Sequence, residues 1–369
     1  MPVSAVDCVQ PAIQHTREQL FRPFRFAQWA RLALVGFLAA ELHTSGCNFN
    51  GFNFPASSHP RRDNPLPSTL APFPHIDPAR IAEFAALIVV AAIVVVVLFF
   101  IFLYLNSVFR FILFDSVLKK RCAIGEGWSR WHRAGRRYFL WQIVLMIAQG
   151  LVMGVLIGVP LAFAAILGWF SNAREHLART LLGIVFLVGV FALCLLVAVI
   201  VQILAKDFLV PIMALEDVDF ADGWSRLTAL IRPEPGRYLV YLLLKFVLAI
   251  AAAIIFGILT LIPILALVVP AALAVFAGYK AGLGWNVTTV SIAVVFGSIL
   301  FAVLLYAVAL ISVPATVFFP AYSIYFLASR YPKLDALLNP PSPAQELPPA
   351  VGPPPPEPPP LPPSPAPIG

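Results

Sequence analysis

Apolar residues in this chain come in long unbroken runs rather than in the one-sided stripes of helices packed in water. Residues 85–105 contain no charged side chain, and about 20 apolar residues suffice to cross roughly 30 Å of hydrocarbon as a helix. Six such segments are expected as membrane spans, at 26–42, 81–105, 138–169, 181–204, 238–262 and 287–311. The first is the shortest, 17 residues or about 25 Å of helix. Arg31 and Glu41 lie near its ends, where a long side chain can snorkel to the headgroups. Residues 238–278 carry a single charge, Lys245. That stretch is long for one span, and Pro263 and Pro270 predict a helix that breaks and folds back or protrudes. Before the first span, residues 1–25 form a polar to amphipathic arm, with Pro23 ending any helix there.

The polar stretches between the runs repeat. Residues 111–140 leave an apolar run, read Gly-Trp-Ser-Arg and re-enter an apolar run at Arg-Tyr, and residues 208–240 do the same. Gly127 and Gly223 are 96 positions apart, and Tyr138 and Tyr238 are 100 apart. A third echo ends the last run: FILFDSVL at 111–118, FLVPIMAL at 208–215 and VFFPAYSI at 317–324. The predicted fold is therefore an all-α membrane domain over 26–335, built as three helical hairpins that enter and leave on one side.

Composition and charge sharpen this picture. Hydrophobic residues make up 60% and charged residues 12%, against near 25% charged in soluble domains. The net charge of +7 would elsewhere suggest nucleic acid. Here it is read as topogenic, with no nucleic-acid partner expected. Of the 25 Lys and Arg, 18 fall on the proposed inner side and six on the outer links, while Lys245 lies within a span. This bias predicts both termini in the cytoplasm. No cleavable signal segment is recognised near the start.

Candidate chemistry is sparse. If 127–139 is helical, Trp128, Trp131, Gly135 and Tyr138 share one arc and Arg130, Arg133 and Arg137 the opposite one. That pattern predicts aromatics toward the bilayer and guanidinium groups toward anionic headgroups. Lys245, Gln142, Gln149 and Gln202 are the candidates for a polar site within the membrane. The acidic run Glu216-Asp217-Val218-Asp219 lacks the pattern of a calcium loop and is expected to solvate a turn or pair with the arginines of the first inner loop. His43, His59 and His75 are spaced 16 apart, which fits no local ligand pair. Cys8, Cys47, Cys122 and Cys194 are scattered, and Thr44 stands where a lipidation box before Cys47 would have Leu. The chain has no HExxH, no GxSxG and no phosphate loop, so neither enzyme activity nor a cofactor is expected. Residues 339–369 are more than half proline and are expected to form a disordered, polyproline-II tail that could meet a proline-recognising protein.

The segments LFRPFRFAQWARLALVGFLAAE, GCNFNGFNFP, the repeated GWSR and FFPAYSIYFLASRYP resemble a family of uncharacterised bacterial and archaeal multi-pass membrane proteins. More distantly, the chain is similar to the membrane portion attached to some glycerophosphodiester phosphodiesterases. His132-Arg133 resembles the catalytic His-Arg of those enzymes, but their activity needs a large soluble barrel with several carboxylates, which this chain lacks. The resemblance covers about residues 10–335 and implies an integral protein of the bacterial inner membrane. It brings no catalytic or binding residues. The reading is a non-enzymatic scaffold or accessory factor, with a small-solute transporter or channel as the rival.

Overall fold

Ten α-helices make up the described residues, which in the computed structural model are 4–41, 78–166, 177–282 and 286–339. In order they are α1 (Val9–Phe21), α2 (Phe26–Leu38), α3 (Pro78–Leu118), α4 (Ile124–Ile166), α5 (Leu177–Leu204), α6 (Val210–Glu216), α7 (Phe220–Ile231), α8 (Pro235–Lys280), α9 (Val287–Ala328) and α10 (Pro332–Leu338). A π-helical turn, Ala205–Leu209, joins α5 to α6. Most of the first outer link with His43, Cys47, His59 and His75, the centre of the second outer link, and the proline-rich tail lie outside the described residues.

The long helices outrun the bilayer. The 46 residues of α8 correspond to about 69 Å of helix, more than twice the hydrocarbon thickness. Each long helix accordingly has two parts. At one end, α3, α4, the α5–α6 rod, α8 and α9 converge with α1, α2, α7 and α10 into an aromatic-rich base around Phe111, Tyr138, Phe208, Tyr241, Tyr322 and Phe326. Toward the other end the side chains are apolar and exposed. The most apolar 18-residue windows of α3, α4 and α5 are 0% buried, and those of α8 and α9 only 6% and 11%. Apolar side chains exposed all round a helix suit hydrocarbon as the solvent, where the helix satisfies its own backbone.

Glycines and rings set how closely the base packs. Gly135 of α4 lies on Val108 of α3, Gly127 on Ile112, and Gly223 of α7 on Leu209 and Met213. Trp131, Gly135 and Tyr138 of the arc therefore face α3, while Trp128 stays 37% exposed. Trp131 is buried and stacks on Phe111 with ring centroids 5.9 Å apart, and Trp128 packs edge-on against Tyr104. For Trp131 and Tyr138 the sequence-based expectation of aromatics pointing to the bilayer gives way to packing on α3. Burial against a neighbouring helix gives these rings both dispersion contacts and edge-to-face geometry.

Two further expectations change. The first apolar segment is a helix of only 13 residues, Phe26–Leu38, or about 20 Å. It stops where Ala40 turns to a positive φ of 54°, a conformation rare outside glycine. Residues 235–280 form one continuous helix with Pro263 and Pro270 inside it, so the predicted break does not occur. The helical condition set for 127–139 is met: the basic stretch is helical from Ile124, with only a short turn between Leu118 and Ile124.

The N-terminal helix is tied into the base by a histidine. His15 is 3% exposed. Its Nε2 lies 2.9 Å from the Val117 carbonyl and its Nδ1 3.2 Å from the Tyr325 hydroxyl. A neutral ring fits both, with Nε2–H donating to the carbonyl and Nδ1 accepting from the hydroxyl. Lys120 and Glu18 pair with each other beside it. Burial, helped by the charge of Lys120, holds the His15 pKa below its usual value, against the opposing pull of the Val117 bond and Glu18. The unfolded chain therefore binds the proton more readily, so the contribution to stability is full above about pH 6.5 and is lost as pH falls below it. The melting temperature of the wild type is expected to drop between pH 6.5 and 5 more than that of His15→Asn. Parallel pH profiles for the two proteins would contradict this.

Candidate functional site

The base encloses charges that the apolar patterning does not announce. Lys206 and Asp207 are successive residues of the π-helical turn, and both side chains point inward, 16% and 4% exposed. Pro211 follows: it has no N–H, and its ring crowds the carbonyl four residues back, that of Asp207. The Val210 N–H accordingly bonds to the Ala205 carbonyl in the wider π register, a local irregularity that often re-aims side chains at functional sites.

Two buried ion pairs result. Lys206 pairs with Glu41, which is 1% exposed. Lys245 of α8 pairs with Asp207, which also accepts a 2.9 Å bond from the Tyr241 hydroxyl. The Lys245 ammonium lies 5.9 Å from the centre of the Phe319 ring. Beside these pairs, Arg110 of α3 donates from Nη1 to the Tyr138 hydroxyl at 2.7 Å. Its Nε is buried and has no partner among the described residues. A cavity of about 20 Å³ opens between Glu41, Arg110, Lys206 and Asp207, with Pro211 and Pro320 in its wall.

The residues singled out from sequence do not gather in one place. Lys245 does not snorkel to the headgroups, because Asp207 offers a charge partner within the base. Glu41 is likewise drawn inward by Lys206. Gln142 accepts a 2.7 Å bond from the Ser107 hydroxyl. Gln149 faces an apolar gap of about 510 Å³ between α4 and α5, shared with Cys194. Gln202 is half-buried on α5. Among the arginines, Arg137 bonds Asp217 and Asp219, each at 3.1 Å, Arg130 lies over the Trp131 ring at 4.9 Å, and Arg133 is exposed. No group of three His, Cys, Asp or Glu side chains among the described residues could hold a metal ion.

Sequence reasoning missed Arg110, Lys206 and Asp207 as interior groups, having read the basic ones as topogenic loop charges. One signal was available. Arg110 and Asp207 each immediately precede the repeated segments at Phe111 and Phe208, so the two copies carry opposite charges at one position.

An all-helical chain with five helices long and apolar enough to cross a bilayer, gathered on a polar-cored base, defines a protein of the multi-pass membrane class. The chain belongs to a family of unknown function, DUF7544, which matches residues 3–337. That match carries no link to glycerophosphodiester phosphodiesterases. No curated protein and no solved structure matches the chain.

Proposed function

We propose that this protein is a non-enzymatic scaffold or accessory factor of a bacterial inner membrane, crossing it six times with both termini in the cytoplasm. The observation that carries the reading is the separation of the candidate intramembrane groups: Lys245 is taken up by Asp207, Gln142 by Ser107, and Gln149 faces an apolar gap. A transport site needs polar groups converging on a path, usually beside an interrupted helix. Here α8 runs uninterrupted.

Connectivity supports the sixth crossing. Glu18 of α1 pairs with Lys120 just beyond the C-terminal end of α3, whereas α3 starts 41 residues earlier at Pro78. Glu18 and Pro78 thus stand at opposite ends of α3. The three-hairpin repeat is supported by matching contacts. Gly127 rests on Ile112 and Gly223 on Leu209, each one residue after the first Phe of its copy. Phe111 meets Tyr138 edge-on at 82°, and Phe208 meets Tyr238 at 82°. Anionic headgroups remain the proposed partners of the exposed Arg133 and of the arginine-rich face around it. A proline-recognising protein is proposed for the tail.

Two measurements test this reading. In spheroplasts of a Cys-free background, a cysteine at position 57 is expected to be labelled from outside, and cysteines at Ser129 and Ser225 only after permeabilisation. Labelling of position 129 in intact cells would reverse the orientation. In proteoliposomes the protein is expected to leave the flux of ions and small solutes at the level of empty vesicles. A flux abolished in the Lys245→Met/Asp207→Asn variant would replace the scaffold with a transporter.

A further inference from the structure

We infer that the cavity between Glu41, Arg110, Lys206 and Asp207 binds a single monovalent inorganic anion of halide size. The cluster holds three cations, Lys245 buried and Arg110 and Lys206 partly so, and two buried carboxylates, Glu41 and Asp207. Each carboxylate is engaged by a lysine, and the Tyr241 hydroxyl adds a second donor to Asp207. The cluster therefore carries one positive charge in excess, and Arg110 is the cation with no carboxylate at ion-pair distance among the described residues, although Glu41 lies within its electrostatic reach. The one hydrogen-bond partner of Arg110 is the neutral hydroxyl of Tyr138, and its buried Nε–H has none among the described residues.

Burying a charged donor without a partner is among the costlier arrangements in a protein interior. A water in the cavity would satisfy the Nε–H and leave the charge uncompensated. An anion does both. The volume of about 20 Å³ exceeds the roughly 10–15 Å³ that one water needs and leaves room for a small monatomic ion. The wall favours a weakly hydrated ion: Pro211 and Pro320 lack N–H groups. The selection of an anion over a cation rests on the lysines, which already neutralise both carboxylates. This site is independent of the scaffold reading, because a bound counter-ion requires no pathway across the membrane.

The test uses the full chain in detergent with chloride as the probe and gluconate at equal ionic strength as the control. Chloride is expected to raise the melting temperature with the logarithm of its concentration, as ligand linkage requires, and to give a ³⁵Cl linewidth excess that bromide displaces and gluconate does not. Arg110→Gln is expected to abolish both effects. Glu41→Gln, which removes one negative charge from the rim, is expected to tighten chloride binding about tenfold. Should Arg110→Gln fail to fold, the bromide competition and Glu41→Gln decide. Equal responses to chloride and gluconate, no displaceable linewidth excess, or chloride binding unchanged or weakened in Glu41→Gln would each overturn the proposal, leaving a water-filled cavity.

Discussion

Lys245→Ala is expected to destabilise the protein by about 3–5 kcal/mol, the cost of leaving one member of a buried ion pair without the other. The carboxylate of Asp207 is 4% exposed and would retain only the Tyr241 hydroxyl. Asp207→Ala should be comparably damaging, because it strands an ammonium that is 6% exposed. Replacing both together, as Asp207→Asn with Lys245→Met, removes the charges while keeping the volume, and is expected to fall within about 1–2 kcal/mol of wild type, since apolar or neutral substitutes for a buried pair are often tolerated. Thermal unfolding of wild type, Lys245→Met, Asp207→Asn and the double variant in one detergent gives the double-mutant cycle. The pair is disproved as a unit if the single changes add to give the double. A Lys245→Ala protein as stable as wild type would mean that this lysine reaches the headgroups after all.

Gly135→Ala should be the most damaging of the single-methyl additions compared here. A Cβ there would sit 2.6 Å from Val108 Cγ2 and 2.9 Å from the Val108 Cα. The backbone of α3 cannot move aside as a flexible side chain can, so α3 and α4 must separate. Overpacking of this kind costs about 1–3 kcal/mol and occasionally more. Gly127→Ala meets only the branched side chain of Ile112, at 3.2 Å, and should cost less. Gly150 has nothing within 4 Å of an added Cβ, so Gly150→Ala should be neutral or stabilising by up to about 1 kcal/mol through helix propensity. The order of melting temperatures checks the series, and Val108→Ala should partly restore Gly135→Ala. An equal response at Gly135 and Gly150 would mean that α3 and α4 are not in close contact at that level.

Much of the architecture was legible because lipid is a simple solvent. It accepts only backbones that satisfy themselves, so runs such as 85–105 could be read as helices from length and apolarity alone. The GWSR repeat was equally plain, but its meaning was not. A periodicity argument places Trp128, Trp131, Gly135 and Tyr138 on one face without saying whether that face meets lipid or protein. Val108 and Phe111, which cover it, are contributed by another helix. Helix ends were read less well: proline inside 238–278 suggested a break, yet α8 passes through Pro263 and Pro270 unbroken.

By itself, then, the sequence determined the all-helical class, the order of the long apolar helices and the repeat that carries Gly127 and Gly223. These depend on local patterns and on the hydrocarbon that surrounds them. Only the tertiary structure decided the fate of the charges. Glu41, Arg110, Lys206, Asp207 and Lys245 lie at the ends of apolar runs, where each alone would be read as snorkelling or topogenic. Asp207 and Lys245 are 38 positions apart, and Glu41 and Lys206 lie farther apart still, so neither pairing follows from any helical period. Such pairs form because burial in the base makes an unpartnered charge costly, and which partner is within reach depends on how the helices converge.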